Sequence, residues 1–169
     1  QSLTIPASVS EIGQGIFLSA SNITKISVDK NNQKYDSREN CNAIIETATN
    51  TLIFGCGKTT VPKDITKIGD YAFSGCKNLE EIKLPDSVTS IGVECFSESS
   101  LKSIVIPDTV TEIGGGAFWY CRLLEKITIP AVKFGSHAFC ECKNISEVYF
   151  SDSVKCLDMR QFMDESGLY

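Results

Sequence analysis

Residues 62–84 read PKDITKIGDYAFSGCKNLEEIKL, and the same pattern returns three times directly behind them. Residues 85–106 read PDSVTSIGVECFSESSLKSIVI, residues 107–129 read PDTVTEIGGGAFWYCRLLEKITI, and residues 130–150 read PAVKFGSHAFCECKNISEVYF. From Pro62 to Pro85, Pro107 and Pro130 the steps are 23, 22 and 23 residues. Upstream, Pro6 opens PASVSEIGQGIFLSASNITKISV in the same register. Downstream, Ser151 opens SDSVKCLDMRQFMDESGLY. A fixed period of this length is the signature of a solenoid.

The register inside each unit is tight. An aliphatic residue stands eight positions before a phenylalanine at Val9–Phe17, Ile65–Phe73, Val88–Phe96, Val110–Phe118 and Val154–Phe162, and seven before it at Val132–Phe139. Six of the nine phenylalanines therefore fall on one ladder. Three residues after the aliphatic come Ile12, Ile68, Ile91, Ile113 and Leu157, mostly followed by glycine. No unit is large enough to bury these residues alone, but stacked units bury them in one continuous core. The C-terminal end of each unit alternates as a half-buried strand does. Seven such strands are expected, ending at Ile5, Val28, Val61, Leu84, Ile106, Ile129 and Phe150. The proline that follows has no amide hydrogen and stops the strand. The glycine after the isoleucine suits a turn with positive φ, and the segment around Tyr71-Ala-Phe-Ser74 is long enough for one helical turn.

Of the 169 residues, 42% are hydrophobic and 22% charged, which excludes a disordered chain. A net charge of −5 argues against a general binder of phosphate backbones, so no nucleic-acid partner is expected. No apolar run approaches the roughly 20 residues that span a bilayer, and no signal-peptide pattern is present. The one histidine, His137, leaves little material for acid–base chemistry.

The pattern IPxSVTxIGxxAFxxCxxLxxIxIP resembles the BspA-type leucine-rich repeat. The likeness runs over nearly the whole chain. It implies a right-handed α/β solenoid, mainly β, with a parallel sheet on one face and short helical turns on the other. It also implies a surface or secreted protein of Bacteroides-like bacteria, with binding or adhesion roles in some members and no catalysis by the repeat. The expected organisation is one solenoid domain over residues 1–169, cut from a longer protein. Solenoid ends need caps, and the alternative to a trimmed neighbour is that residues 158–169 act as one. One stretch departs from the repeat: Val28 to Val61 is 33 residues, ten more than the basic 23. Within this insertion, about 29–60, Ala43–Glu46 and Thr51–Phe54 read as the arms of a β-hairpin.

Cys76, Cys121 and Cys142 each lie three residues after a ladder phenylalanine and Cys95 lies just before one, so all four read as small buried thiols. Cys41 and Cys56 differ. If Glu46 faces Thr51, counting outward sets Cys41 opposite Cys56. The readings are then a cross-strand disulfide or two thiols pinning the hairpin. His137, Cys140, Cys142 and Cys121 lack the spacing of a zinc site. No metal or cofactor is expected, and no catalytic motif is visible.

On the sheet, the outward positions form two lines: Lys25, Glu81, Ser103, Lys126 and Glu147, and Ser27, Lys83, Val105, Thr128 and Tyr149. They offer either mutual support between strands or a binding face. Trp119 and Tyr120 are unusual because the other units place Ser, Leu, Gly, Glu or Cys there. Exposed aromatics favour interfaces and stack on sugar rings. The candidate partner-binding residues are thus Trp119, Tyr120, Lys83, Val105, Thr128, Tyr149 and Lys126. The expected function is an extracellular or cell-surface, non-catalytic binding or adhesion module for a protein or glycan, with a structural spacer as the alternative.

Overall fold

A computed structural model describes residues 1–18, 20 and 22–155. The Phe162 rung, Leu157 and the candidate cap lie outside the described residues. The chain winds through about seven turns built from short strands. In chain order they are Ser2–Ile5 (β1), Lys25–Val28 (β2), Tyr35–Asp36 (β3), Ala43–Glu46 (β4), Thr51–Gly55 (β5), Lys67–Ile68 (β6), Ser90–Ile91 (β7), Ser103–Val105 (β8), Glu112–Ile113 (β9), Lys126–Ile129 (β10), Lys133–Phe134 (β11) and Glu147–Phe150 (β12). A 3₁₀ turn at Arg38–Asn40 follows β3.

Three sheets result among the described residues. β1 pairs with β2, β8–β10–β12 form a parallel sheet, and a seven-stranded sheet runs in the order β11-β9-β7-β6-β5-β4-β3. The expected continuous line of seven strands is therefore interrupted. At the positions ending in Val61 and Leu84 no strand forms, and only the bridge Glu81↔Ser103 remains. The reason lies in the insertion. The Thr60 amide donates to the Cys41 carbonyl and the Cys56 amide to Thr59 Oγ1, whose hydroxyl donates to the Asn42 carbonyl, so residues 56–60 are tied within the insertion.

The isoleucine–glycine steps, read from sequence as turns, are the two-residue strands β6, β7 and β9. Their glycines are not in the positive-φ region, which among glycines holds Gly15, Gly75 and Gly116. The constraint is proximity instead. A Cβ on Gly92 would lie 2.6 Å from the Asp70 amide nitrogen, one on Gly114 2.5 Å from the Val93 nitrogen, and one on Gly135 2.3 Å from the Gly115 nitrogen. Successive backbones pass too closely there for any side chain.

The expected helical turns are absent among the described residues. Past each glycine, alternate amides take different partners. Ala72, Ser74 and Cys76 donate three residues back to Gly69, Tyr71 and Phe73. Tyr71, Phe73 and Gly75 instead donate across the stack to Val93, Cys95 and Ser97, at 2.9, 2.7 and 2.7 Å. The same scheme links Glu94, Phe96 and Glu98 to Gly115, Ala117 and Trp119, and Gly116, Phe118 and Tyr120 to Ser136, Ala138 and Cys140. A helix aligns all its amides along one strand of chain. Here half of them serve the neighbouring turn, and left-handed φ values recur at Tyr71, Glu94, Glu98, Tyr120, His137 and Glu141.

The phenylalanine ladder stacks inside this cage. Phe73, Phe96, Phe118 and Phe139 are fully buried, with centroids 5.3, 5.4 and 5.1 Å apart and rings within 12° of parallel. Phe17 does not join them. It stacks at 4.3 Å on Phe54 of the insertion. β4 and β5 pair antiparallel and stand as a wall across the core. Ala43, Ile45 and Leu52 face the main cluster with the ladder, while Ile44, Phe54 and Cys56 face a smaller cluster with Ile5, Ile26 and Tyr35. The insertion thus sits inside the stack and supplies β3, the edge of the long sheet. Gly55 lets the wall close on the ladder, since a Cβ there would lie 2.2 Å from the Phe73 ring.

Replacing Phe118 by Ala should cost about 3–5 kcal/mol in chemical denaturation, because the rung is enclosed on both sides. Lys126→Ala on the open sheet should leave the midpoint nearly unchanged. Gly114→Ala should destabilise by about 1–3 kcal/mol, whereas Gly13→Ala should be tolerated, having no atom within 4 Å of its added Cβ.

Candidate functional site

Three surfaces stand out from this frame. The first is the outer side of β8, β10 and β12. Lys126 sits beside Glu147 and Ser103, and Thr128 beside Tyr149 and Val105, so both lines are held in register by the strands. Lys83 is exposed beyond the Glu81 bridge. Lys25 and Ser27 belong to β2 in the separate first sheet, so they do not extend these lines. Val105 is 65% exposed and Tyr149 53% exposed, on either side of half-buried Thr128. Lys126 Nζ meets Glu147 Oε1 at 2.7 Å, and the Tyr149 hydroxyl donates to the other carboxylate oxygen. Lys126 and then Tyr149 hold the Glu147 carboxyl below its ordinary range.

The second surface is in the turn ladder, away from the sheet. Trp119 and Tyr120 are half-buried and pack edge-to-face at 4.7 Å. The Arg122 guanidinium lies 4.9 Å from the Tyr120 ring centroid. With Lys77 and Glu98 these residues line an open pocket of about 360 Å³. The chain brings the pair together as neighbours in one turn, but it does not bring them to the sheet residues.

The third surface was not legible in the repeat. A cleft of about 520 Å³ opens between the first turn, Ile12–Leu18, and the outer side of β5, β6 and the Asp70–Tyr71 turn. It exists because the insertion displaces that first turn from the regular stack. The sign in the sequence was the ten extra residues, but not where they would leave space.

The cysteines are structural in their placement. β4 and β5 shift register between Ile44 and Ile45, so Ala43 pairs with Gly55 instead of Phe54. That bulge turns Cys41 toward the main cluster and Cys56 toward the smaller one. Of the two readings left open by the sequence, the structure has Cys41 and Cys56 as free thiols rather than a cross-strand disulfide. Asn42, not Cys41, reaches the Cys56 sulfur, at 3.0 Å. Two of the cysteines that stand three after a phenylalanine tie each turn to the one before. Cys121 Sγ donates to the Phe96 carbonyl at 3.0 Å, and Cys142 Sγ donates to the Phe118 carbonyl at 2.9 Å. Burial pushes the Cys41 and Cys95 thiols up, and Cys76 up to about 11. Such groups stay protonated at neutral pH and are poor nucleophiles. Arg38, in the approach to the hairpin, is equally structural. Its guanidinium grips Asp36 at 2.8 Å and Asn50 at 2.9 Å and reaches Asp64.

A family model for the BspA type leucine rich repeat region matches residues 1–52 and 54–169 in six copies. The chain belongs to this repeat family. Its fold recurs in solved structures. A leucine-rich repeat protein from Eubacterium ventriosum is 25% identical with a TM-score of 0.71, over 88% of this chain and 48% of that one. A leucine rich cell surface protein from Faecalibacterium prausnitzii is 27% identical with a TM-score of 0.63, over 98% of this chain and 50% of that one. The pneumococcal vaccine antigen PcpA shares the fold at a TM-score of 0.78 and 20% identity, over 94% of this chain and 40% of that one. The chain thus spans about half the length, or less, of these family structures. No curated protein matches it.

Of the described cysteines, only Cys140 is not buried. Iodoacetamide near neutral pH should label Cys140 in the folded chain and Cys41, Cys56, Cys76, Cys95, Cys121 and Cys142 only after unfolding, as read by peptide mass mapping. Folded-state labelling of Cys121 would contradict the assigned thiol–carbonyl ties.

Proposed function

We propose that the chain is a non-catalytic binding segment, displayed outside the cell or at its surface, which meets a protein partner through the outer side of β8–β10–β12. One observation carries this reading: Val105 and Tyr149 stand exposed in register on either side of Thr128, although the core needs neither. A valine and a tyrosine set in a line flanked by Lys83 and Lys126 form the kind of small apolar centre with a charged rim that protein interfaces use. The regular spacing of the strands keeps this line rigid, so little ordering cost falls due on association. The cell-surface description of the Faecalibacterium relative and the vaccine-antigen description of the pneumococcal one support the location. The absence of any catalytic motif in the sequence and the burial of every described cysteine but Cys140 support a non-catalytic role.

Trp119 and Tyr120 support a second contact, for a protein or glycan, because their pocket beside Arg122 presents ring edges and a cation together. In a structural spacer, by contrast, neither surface would engage a partner.

A binding screen against immobilised matrix proteins, mucins and glycans tests this, run with Val105→Ala/Tyr149→Ala and Trp119→Ala/Tyr120→Ala. Saturable binding to a protein, reduced at least about tenfold in the sheet variant, is expected. Loss confined to the Trp119/Tyr120 variant would move the contact to the turn pocket, and no binding by the native chain would favour the spacer.

A further inference from the structure

We propose that the cleft under the first turn is a binding site for a neutral saccharide, one or two rings long. It lies apart from the β8–β10–β12 line and stands or falls independently of it.

The cleft is a built-in vacancy in the stack. The cross-stack bonds that join one regular turn to the next are missing there. Among the described residues, the Gly15 and Phe17 amides, whose counterparts Tyr71 and Phe73 donate to the next turn, have no acceptor across the cleft. The first turn is nevertheless anchored. Phe17 stacks on Phe54, the Ile12 amide donates to the Tyr35 hydroxyl at 3.1 Å, and Gln14 Nε2 reaches Asp70 Oδ2 at 3.4 Å. The space is therefore held open by fixed walls, and about 520 Å³ lies within the range of small-ligand sites, roughly 300–1,000 Å³.

The chemistry of the lining selects the class. Glu46, Asp70 and Lys67 mix acceptors and a donor around the cleft, with Gln14, Thr49 and Thr51 able to do both. The Thr49 hydroxyl bonds Glu46 Oε2 at 2.5 Å and Thr51 Oγ1 at 2.8 Å, which fixes the Glu46 carboxylate in place. A ligand that must donate at one point and accept at the next, several times within a few ångströms, is a polyol. Two carboxylates repel an anion such as phosphate or a sialic acid, and Lys67 opposes a cation. Phe17, Leu18 and Tyr71 supply the apolar surface on which the C–H face of a pyranose ring rests.

The test titrates the intact chain with lactose, cellobiose, maltose and N,N′-diacetylchitobiose, and with sialyllactose as the charged comparison, by saturation-transfer NMR and calorimetry. At least one neutral disaccharide should bind saturably and more tightly than sialyllactose. Glu46→Gln and Asp70→Asn should each weaken it about tenfold or more. Val105→Ala/Tyr149→Ala should bind as the native chain does. The proposal is overturned if none of the four neutral sugars saturates, if sialyllactose binds best, or if binding survives both Glu46→Gln and Asp70→Asn.

Discussion

Every regular turn of this solenoid gives alternate amides to the carbonyls of the next, and that exchange requires the two backbones to touch. The touching is what the glycine column at residues 69, 92, 114 and 135 permits, since any Cβ at Gly92, Gly114 or Gly135 would stand inside a neighbouring main chain. Once the backbones are that close, the side chains one step on must stack face to face. The ladder from Phe73 to Phe139, with rings about 5 Å apart and nearly parallel, is the consequence. The cysteine column follows too: a thiol is small enough to sit between turns, and at Cys121 and Cys142 it satisfies a carbonyl of the preceding turn.

The insertion is where this regularity breaks, and it accounts for most of what is individual about the molecule. By placing β4 and β5 across the core it divides one cluster into two. It withdraws residues 56–60 from the sheet face, so the outer line begins effectively at Glu81. It moves the first turn away from the second, leaving the cleft. A continuous stack would have offered only its open faces. The interrupted one adds a concave site with polar groups at its rim.

The ladder from Phe73 to Phe139, the repeat boundaries and the buried thiols at Cys76, Cys95, Cys121 and Cys142 were legible in the sequence, because each rests on spacing along a fixed period, whereas Phe17, read onto the same ladder, stacks on Phe54 of the insertion. The pairing of Glu46 with Thr51 was legible too. What escaped was what depends on neighbours in space. The isoleucine–glycine steps looked like turns because two-residue strands leave no alternating pattern to read. The helical reading of Tyr71–Ser74 failed because every second amide there, at Tyr71 and Phe73, bonds a carbonyl 22 residues away. Which of the two readings of Cys41 and Cys56 holds turned on one bulge, because one residue of register slip takes them out of opposition. The Val105–Tyr149 line was legible as outward alternation, while the cleft was not, because it is made of space left between turns.

Native-state hydrogen exchange read amide by amide tests the cross-stack bonding most directly. The amides of Phe73, Phe96 and Phe118, which donate to the neighbouring turn, should exchange slowest and open together, near the global unfolding limit. The Phe17 amide, in the same place of the first turn but without a cross-stack acceptor among the described residues, should exchange orders of magnitude faster. If Phe17 were as protected as Phe118, or if Phe73, Phe96 and Phe118 exchanged as freely as surface amides, the turns would not be held by their backbones, and the roles assigned to the glycine column, the ladder and the cleft would be wrong.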